Sequence, residues 1–541
     1  MAGGIHYFWT GTIAAALWWC GSPSWASADD PPAVARPESL AAEIDRRLEA
    51  HWQAQGIAPA APADDATIYR RLMLDLTGRI PTRVEWEAWL ADKTPADERY
   101  RQALRQILDG PEFPLYWGAV LDEIVQGTAA GSPDFIDYLR RSLRERKRWD
   151  AVFRELLIGP WKTDESKPAA RFLEVRAKDL DRLTTDTTRV FFGVDVSCAR
   201  CHDHPLVDDW KQDHYYGMAS FFNRTTGGKG NLGEKFEGDV TFKGAGGTQK
   251  TAALMFLTGR VIDEPPPEEA KQSKFSRREQ LVAVALAEQT LLSRSLVNRL
   301  WQQFFGRGLV HPVDQMHSGN PSSVPGLLEW LAGEFAADYD VQRLVAAIVS
   351  TKAYRLNSRW DSGSPLPDER HFAAMRLRLL SPRQYALSLL VASGRTDFAA
   401  AEARQARAER LLGAKGVHRA AQYLAAEELA APLLAQLDPA QDGQSSVAEA
   451  LYLSNNSAVQ ALLGREPGTL AARLAETADA RQIAESAIGQ VYCRPPAADE
   501  VERLTNWLKQ QEQSSQPADK HRICEQLVWA LVTAAEFRFQ H

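Results

Sequence analysis

The sequence predicts a mainly α-helical protein, with a multi-helix N-terminal domain, a helical C-terminal domain and a small glycine-rich β or loop insert between them. Three observations carry this. Apolar residues recur at three- and four-residue spacing along most of the chain, as they do on the buried face of a helix. Start and stop signatures bracket those stretches. One segment breaks the pattern: Thr225–Lys250 holds eight glycines and short alternations such as Val240-Thr241-Phe242-Lys243, a composition that suits loops and hairpins.

Taken in order, residues 1–28 contain no Lys, Arg, Asp or Glu. The apolar stretch Tyr7–Cys20 is shorter than the ~20 residues that span a bilayer, and Ala26-Ser27-Ala28 has the small-x-small form of a cleavage site. We read 1–28 as a signal peptide of a periplasmic or otherwise exported protein, with no integral membrane span once it is removed. Further on, Ile68, Leu72 and Leu76 share a helical face that Gly78 ends. Thr82 and Glu85 then form a capping box for a helix carrying Trp86, Trp89 and Leu90. Leu292, Leu296, Leu300 and Phe304 make another apolar stripe. Ser381-Pro382-Arg383-Gln384 opens a helix that runs to Gly394, and Ala-rich stretches near 398–435 read as exposed helices. The expected division is 29–264 (insert 225–264), a linker over 265–280 marked by Pro265-Pro266-Pro267-Glu268-Glu269, and 281–541.

A faint repeat runs across this division. Arg79-Ile80-Pro81 precedes a helix with Glu85 and Leu90, then Ile107-Leu108 leads to Glu112-Phe113. Near the end Arg494-Pro495-Pro496 precedes a helix with Glu500 and Leu508, then Leu531-Val532 leads to Glu536-Phe537. Each unit reads as a Pro-started helix, a second helix and an aromatic anchor.

Composition sets outer bounds. The 541 residues, 45% apolar and 25% charged, are those of a soluble globular protein with room for several cores. With 63 basic and 70 acidic residues the net charge is −7, so no global field draws nucleic acid. Five cysteines exclude a disulfide scaffold. Removing the leader leaves Cys198, Cys201, Cys493 and Cys524, of which the last two either pair with each other or sit in the core. The basic run Arg140 to Arg148 suits a solvated helix or a docking face for an acidic redox partner or an anionic sugar. No P-loop, dinucleotide fingerprint or Ser-His-Asp order stands in a convincing context.

The chemistry concentrates in Cys198-Ala199-Arg200-Cys201-His202, the C-x-x-C-H pattern of c-type haem attachment. Two thiols one turn apart can form thioethers to the two vinyl groups, and the adjacent imidazole can then ligate the iron. Attachment takes place outside the cytoplasm, in keeping with the leader. Two other readings use the same residues: a zinc or iron staple built from Cys198, Cys201, His202 and His204, and a thiol redox pair in which Phe191–Val196 is the preceding strand. His204 lies within ~7 Å of chain from His202, too short to reach the opposite face of the same iron. It and Asp203 are read as supports of the axial imidazole. His214 and Met218, four apart on one helix face, are the candidate sixth ligands, with His311, Met316 and His317 as further ones from the second half. Without any of them the iron is five-coordinate and open. Asp208, Asp209 and Asp213 add carboxylates around the segment.

These residues also carry a resemblance. Phe191-Phe192-Gly193-Val194, Cys198 to Pro205, Trp210, Tyr215-Tyr216-Gly217 and Phe221-Phe222 resemble the planctomycete-type cytochrome c-like domain of unknown function, with Leu74-Asp75-Leu76-Thr77-Gly78 as its opening motif. Arg294 to Trp301, Phe305 to Val310, Asn320-Pro321-Ser322, Leu327 to Ala332 and Ala535-Glu536-Phe537 resemble its usual planctomycete-specific partner domain. The resemblance implies an exported protein in which the C-x-x-C-H segment matters. Here His214 stands where the family commonly has an acid, Met218 where it has Leu, and Met316-His317-Ser318-Gly319 where an Asp-Phe-Gly type stretch is usual. The expected function is electron transfer, or a subunit of an unidentified redox system, by an exported c-type haem protein. The alternatives are a metal-stapled binding protein and an uncharacterised carbohydrate-related enzyme.

Overall fold

The computed structural model describes Met1 and residues 34–541, apart from 128–131, 205–206, 229, 245–246, 361–362, 364, 396–401, 438–446, 465 and 514–518. The signal peptide expected over 1–28 therefore lies outside the described residues, apart from Met1. Ala35–His541 packs as one compact unit. It is mainly α, with twenty-five α-helices and only two-stranded sheets among the described residues. No described helix is long and apolar enough to cross a membrane.

Local signals set the helix ends. The Asp65–Thr77 helix is closed by Gly78 at φ 74°, a left-handed position that costs glycine little. Thr82 and Glu85 make the capping box of Arg83–Ala91, and Ser381 with Gln384 makes that of Pro382–Ala392. Trp86 and Trp89 are buried as their spacing requires, while Leu90 remains exposed. Leu292, Leu296, Leu300 and Phe304 are all buried on Thr290–Phe305. The glycine-rich insert forms three short antiparallel hairpins, 225–226 with 233–234, 241–243 with 249–251, and 254–255 with 261–262. The stretch 265–280 contains the Pro267–Ser273 helix and the start of Arg277–Glu288.

Distant parts of the chain interleave. The Pro37–Gln55 helix packs on Val341–Val349, Leu180–Phe192 on Thr290–Phe305, and Glu112–Gln126 on Val417–Leu434. Strand Arg378–Leu379 pairs with Phe539–Gln540. In the core the rings of Phe113, Trp117, Phe304 and Tyr354 follow one another at centroid distances of 5.7, 5.5 and 6.0 Å, a spacing at which aromatic pairs add to simple burial. The Leu74-Asp75-Leu76-Thr77-Gly78 motif is explained by Asp75. Its buried carboxylate accepts from Arg378 at 3.0 Å, Tyr354 at 2.8 Å and Gln540 at 2.8 Å, so one charge ties three distant segments together with its lone pairs satisfied.

The two repeat units share one arrangement. Helices Asp65–Thr77 and Ala480–Tyr492 are capped by Asp64 and Asp479 and end on positive-φ residues, Gly78 and Cys493. Arg79 and Arg494 follow, and the carboxylates of Glu85 and Glu500 each accept a backbone N–H at the start of the next helix, from Thr82 and Ala497, at 2.8 Å. Phe113 and Phe537 are fully buried anchors.

Candidate functional site

The Cys/His segment hangs from the end of the Leu180–Phe192 helix. Gly193 turns the chain at φ 67°, and a Cβ there would stand 2.8 Å from the Met316 sulfur. Phe191 and Phe192 are the last residues of that helix, which corrects the expected strand over 191–196. The helix persists because both rings pack into the core at its end, and only Val194 makes a bridge, to Gln315.

Asp195 starts the turn that follows. One carboxylate oxygen accepts the Ser197 N–H at 2.9 Å and the other the Arg189 guanidinium at 2.6 Å. Burial would raise this carboxyl, but the hydrogen bonds from Arg189 and Ser197 override it and hold it below the ordinary value. Ser197–Arg200 then forms a 3₁₀ turn, in which residues three apart lie above one another. Cys198 and Cys201 are therefore neighbours on the exposed side, both free, while Ala199 is the buried anchor.

The Gln212–Ser220 helix backs the turn. Gln212 donates to the Cys201 carbonyl at 3.1 Å and through its backbone N–H to Asp203 at 2.9 Å. Tyr216 donates to the Arg200 carbonyl at 2.9 Å. Arg200 pairs with Asp181 at 2.6 Å, which also accepts from Tyr215 at 2.5 Å. His202 is exposed, and its Nδ1–H donates to the Asp203 carbonyl at 2.7 Å. In the neutral ring the lone pair is then on Nε2.

The other sequence-predicted residues fall in several places. His204 is half-buried and donates its backbone N–H to Trp210 at 2.8 Å. The His317 ring from the second half lies 6.2 Å from the His204 ring. Met316 is buried against Gly193, and Ser318 donates through N–H and hydroxyl to Asp209, each at 2.6 Å. Asp208 and Asp213 are exposed. The 315–318 stretch is thus docked on the Cys/His segment. His311 lies earlier in the same loop, with its pKa lowered by burial. His214 accepts the Lys211 N–H on Nδ1 at 3.1 Å, which leaves its proton on Nε2. Met218 is fully buried in the core. Among the described residues no three His, Cys, Asp or Glu side chains converge where a metal ion could sit, so Cys198, Cys201, His202 and His204 are not assembled as a closed tetrahedral site.

Cys493 and Cys524 are separate, free and buried, and burial pushes their thiols up to about 12 and about 11. Four of the six cations in the basic run are paired within the chain, Arg140 with Glu427, Arg146 with Asp340, Lys147 with Glu155 and Arg148 with Asp150, while Arg141 and Arg144 donate to carbonyls. Sequence reasoning missed Asp195, although an Asx turn was readable from Asp195-Val196-Ser197. It also missed Gln212 and Asp181, for which no local signal exists.

The helical scaffold presents two free thiols and an imidazole on one surface turn, with the loop that carries Ser318 docked beside them. Residues 43–227 match the family model described as "Protein of unknown function (DUF1549)", PSCyt2, and residues 277–508 match "Protein of unknown function (DUF1553)", PSD1. The chain therefore carries the planctomycete-type pair of these two domains, in that order. Comparison with curated proteins and with solved structures finds no match.

Proposed function

We propose that this chain is an exported c-type haem protein that transfers electrons or serves an unidentified redox system. The reading rests on one observation above the others: His202 commits Nδ1–H to the Asp203 carbonyl and keeps Nε2 free beside two exposed, unpaired thiols. Metal-ligating histidines hold their rings in this way, with the second nitrogen fixed by a carbonyl or carboxylate. Cys198 and Cys201 would hold the porphyrin through thioethers and His202 would ligate its iron. A haem bound there would supply one-electron chemistry. The protein's own part is positional. Gln212 and Tyr216 fix the carbonyls of Cys201 and Arg200, and Asp195 fixes the start of the turn, so the thiols and the imidazole stay in register. The resemblance of the C-x-x-C-H segment to cytochrome c-like domains supports the same reading.

The test is expression of the full chain with the haem-attachment machinery, followed by an absorption spectrum and a mass under denaturing conditions. A Soret band and the mass of one haem are expected, both lost in Cys198→Ala and Cys201→Ala. A protein with neither is not a c-type cytochrome. A metal assay on that sample then decides for or against a staple.

A further inference from the structure

Two imidazoles from distant parts of the chain meet in the fold. His51 lies in the Pro37–Gln55 helix, and His371 ends the 3₁₀ turn Glu369–His371. His51 Nε2 and His371 Nδ1 stand 2.9 Å apart, with the ring centroids 5.2 Å apart and the planes inclined by 29°. The two nitrogens therefore lie between the rings and face one shared space. The relation is held from outside the pair. Trp52, the next residue of the helix, donates to the His371 carbonyl at 2.7 Å, and Phe372 is buried directly after the turn.

Two nitrogens so placed supply most of the geometry of a metal site. Imidazole–zinc bonds are about 2.0–2.1 Å, so two such ligands at a tetrahedral angle stand about 3.3 Å apart. Opening the pair by roughly 0.4 Å reaches that separation. In the metal-free protein the space between the rings holds one shared proton. On binding, the donating ring passes that proton to its remote nitrogen through water, and each neutral ring offers one lone pair to the ion. The remote nitrogens, His51 Nδ1 and His371 Nε2, have no hydrogen-bond partner among the described residues, and both rings are half-buried. Water can thus carry the proton and fill the remaining coordination positions.

The surroundings admit a cation. Burial lowers both imidazoles and so keeps them neutral near pH 7. The neighbouring bases are paired, Arg370 with Asp368 at 3.3 Å, Arg307 with Glu369 at 2.8 Å and Lys352 with Glu49 at 2.7 Å. No carboxylate or thiol converges with the two rings among the described residues. An all-nitrogen, water-completed site favours transition metals over Mg²⁺ and Ca²⁺, which take oxygen ligands.

We propose that His51 and His371 form an open site for a divalent transition-metal ion, Cu²⁺ in preference to Zn²⁺, that clips the Pro37–Gln55 helix to the 369–371 turn. The order of the two metals follows the general affinity series for nitrogen ligands. The site is independent of the haem reading and shares no residue with it.

The experiment is calorimetric titration of the full chain carrying Cys198→Ser and Cys201→Ser, which removes the exposed thiols as competing ligands, with CuCl₂, ZnCl₂ and MgCl₂ at pH 7.5. Saturable binding of Cu²⁺ and more weakly of Zn²⁺ is expected, with none of Mg²⁺, and bound metal should raise the thermal unfolding midpoint. Electron paramagnetic resonance of the Cu²⁺ form should show two imidazole nitrogens. His51→Gln and His371→Gln, in which an amide can keep a hydrogen bond to the remaining imidazole, should each weaken binding at least ten-fold and abolish the midpoint shift. Absence of Cu²⁺ binding overturns the proposal. So does Cu²⁺ binding that neither variant weakens, equal binding of Mg²⁺, or a Cu²⁺ spectrum without two imidazole nitrogens.

Discussion

Arg494 grips Glu500 at 2.6 Å and Glu536 at 2.5 Å, and Arg79 grips Glu85 at 2.7 Å and Glu112 at 2.9 Å in the same order along the chain. The two clamps differ in burial. The Arg79 and Glu112 side chains are 9% and 10% exposed, those of Arg494 and Glu536 26% and 34%. Breaking a buried pair costs about 3–5 kcal/mol where it strands the partner charge, and here Arg419 still reaches Glu85 at 2.8 Å and Glu112 at 3.0 Å. Arg79→Met should therefore cost about 3 kcal/mol in urea unfolding, the lower end of that range. Arg494→Met should cost about 1.5–3 kcal/mol, the range for hydrogen bonds to charged groups. Equal losses would contradict the burial argument.

The second clamp also predicts a pH dependence. Hydrogen bonds from Arg494 lower Glu500 from 4.5 to about 2. A carboxyl depressed in the fold takes its proton in the unfolded chain first, so its stabilisation is complete above pH 4.5 and is lost as pH falls from there towards 2. Unfolding free energies measured across that window should drop less steeply in Glu500→Gln than in the wild type. An unchanged slope would show that Glu500 is not depressed.

Local rules account for what could be read in advance. Gly78, the Thr82–Glu85 box and the Ser381–Gln384 box involve neighbours in the chain, so their geometry follows from sequence spacing alone. The repeat was visible for the same reason, since each Arg precedes a capped helix. Asp75 sat in a recognised motif, but its partners Tyr354, Arg378 and Gln540 come from elsewhere in the fold and leave no periodic trace. At the Cys/His segment the residue types and spacing were legible. The docking of Ser318 on Asp209 was not, because it arises only where distant stretches of the chain meet. Phe191–Val196 misled because aromatic and β-branched residues suit a strand as well as a helix end that packs into a core.

Thiol exposure divides the four described cysteines into two pairs. Cys198 and Cys201 are exposed, whereas Cys493 and Cys524 are buried with their thiols pushed up to about 12 and about 11. Brief treatment of the reduced, haem-free protein with iodoacetamide at pH 8 should modify the first pair, and the second only after denaturation, because the thiolate is the reacting species. Peptide mass mapping reads the sites. Rapid native modification of Cys493 would argue against its place beside the Pro81 carbonyl.

Gly193 is the joint between the Cys/His segment and the second half. An alanine there would carry φ 67° and bring its Cβ to 2.8 Å from the Met316 sulfur and 3.2 Å from the Val313 carbonyl. Gly193→Ala should cost about 1–3 kcal/mol from overpacking, with a further ~1–2 kcal/mol from the left-handed backbone. Adding Met316→Ala should return part of the first component and none of the second. Thermal unfolding of the single and double variants measures both, and no recovery in the double variant would show that the sulfur is not the obstacle.

His51 and His371 predict a second acid-sensitive joint. His51 Nε2 and His371 Nδ1 share a hydrogen bond at 2.9 Å, their rings stacked at 5.2 Å, and Trp52 donates to the His371 carbonyl at 2.7 Å. This bond needs one nitrogen unprotonated. Burial lowers both imidazoles, reinforced at His51 by His371 and at His371 by Arg370, against a smaller opposing pull from Asp368. A histidine lowered in the fold is protonated first in the unfolded chain, so its stabilisation is present above the unfolded value of 6.5 and falls away below it. Unfolding free energy should therefore be smaller at pH 5.5 than at pH 7.5. His371→Gln should narrow that difference, since an amide can keep a hydrogen bond to His51 while removing one titrating ring. Wild type and variant with identical pH differences would show that the pair contributes nothing to acid sensitivity.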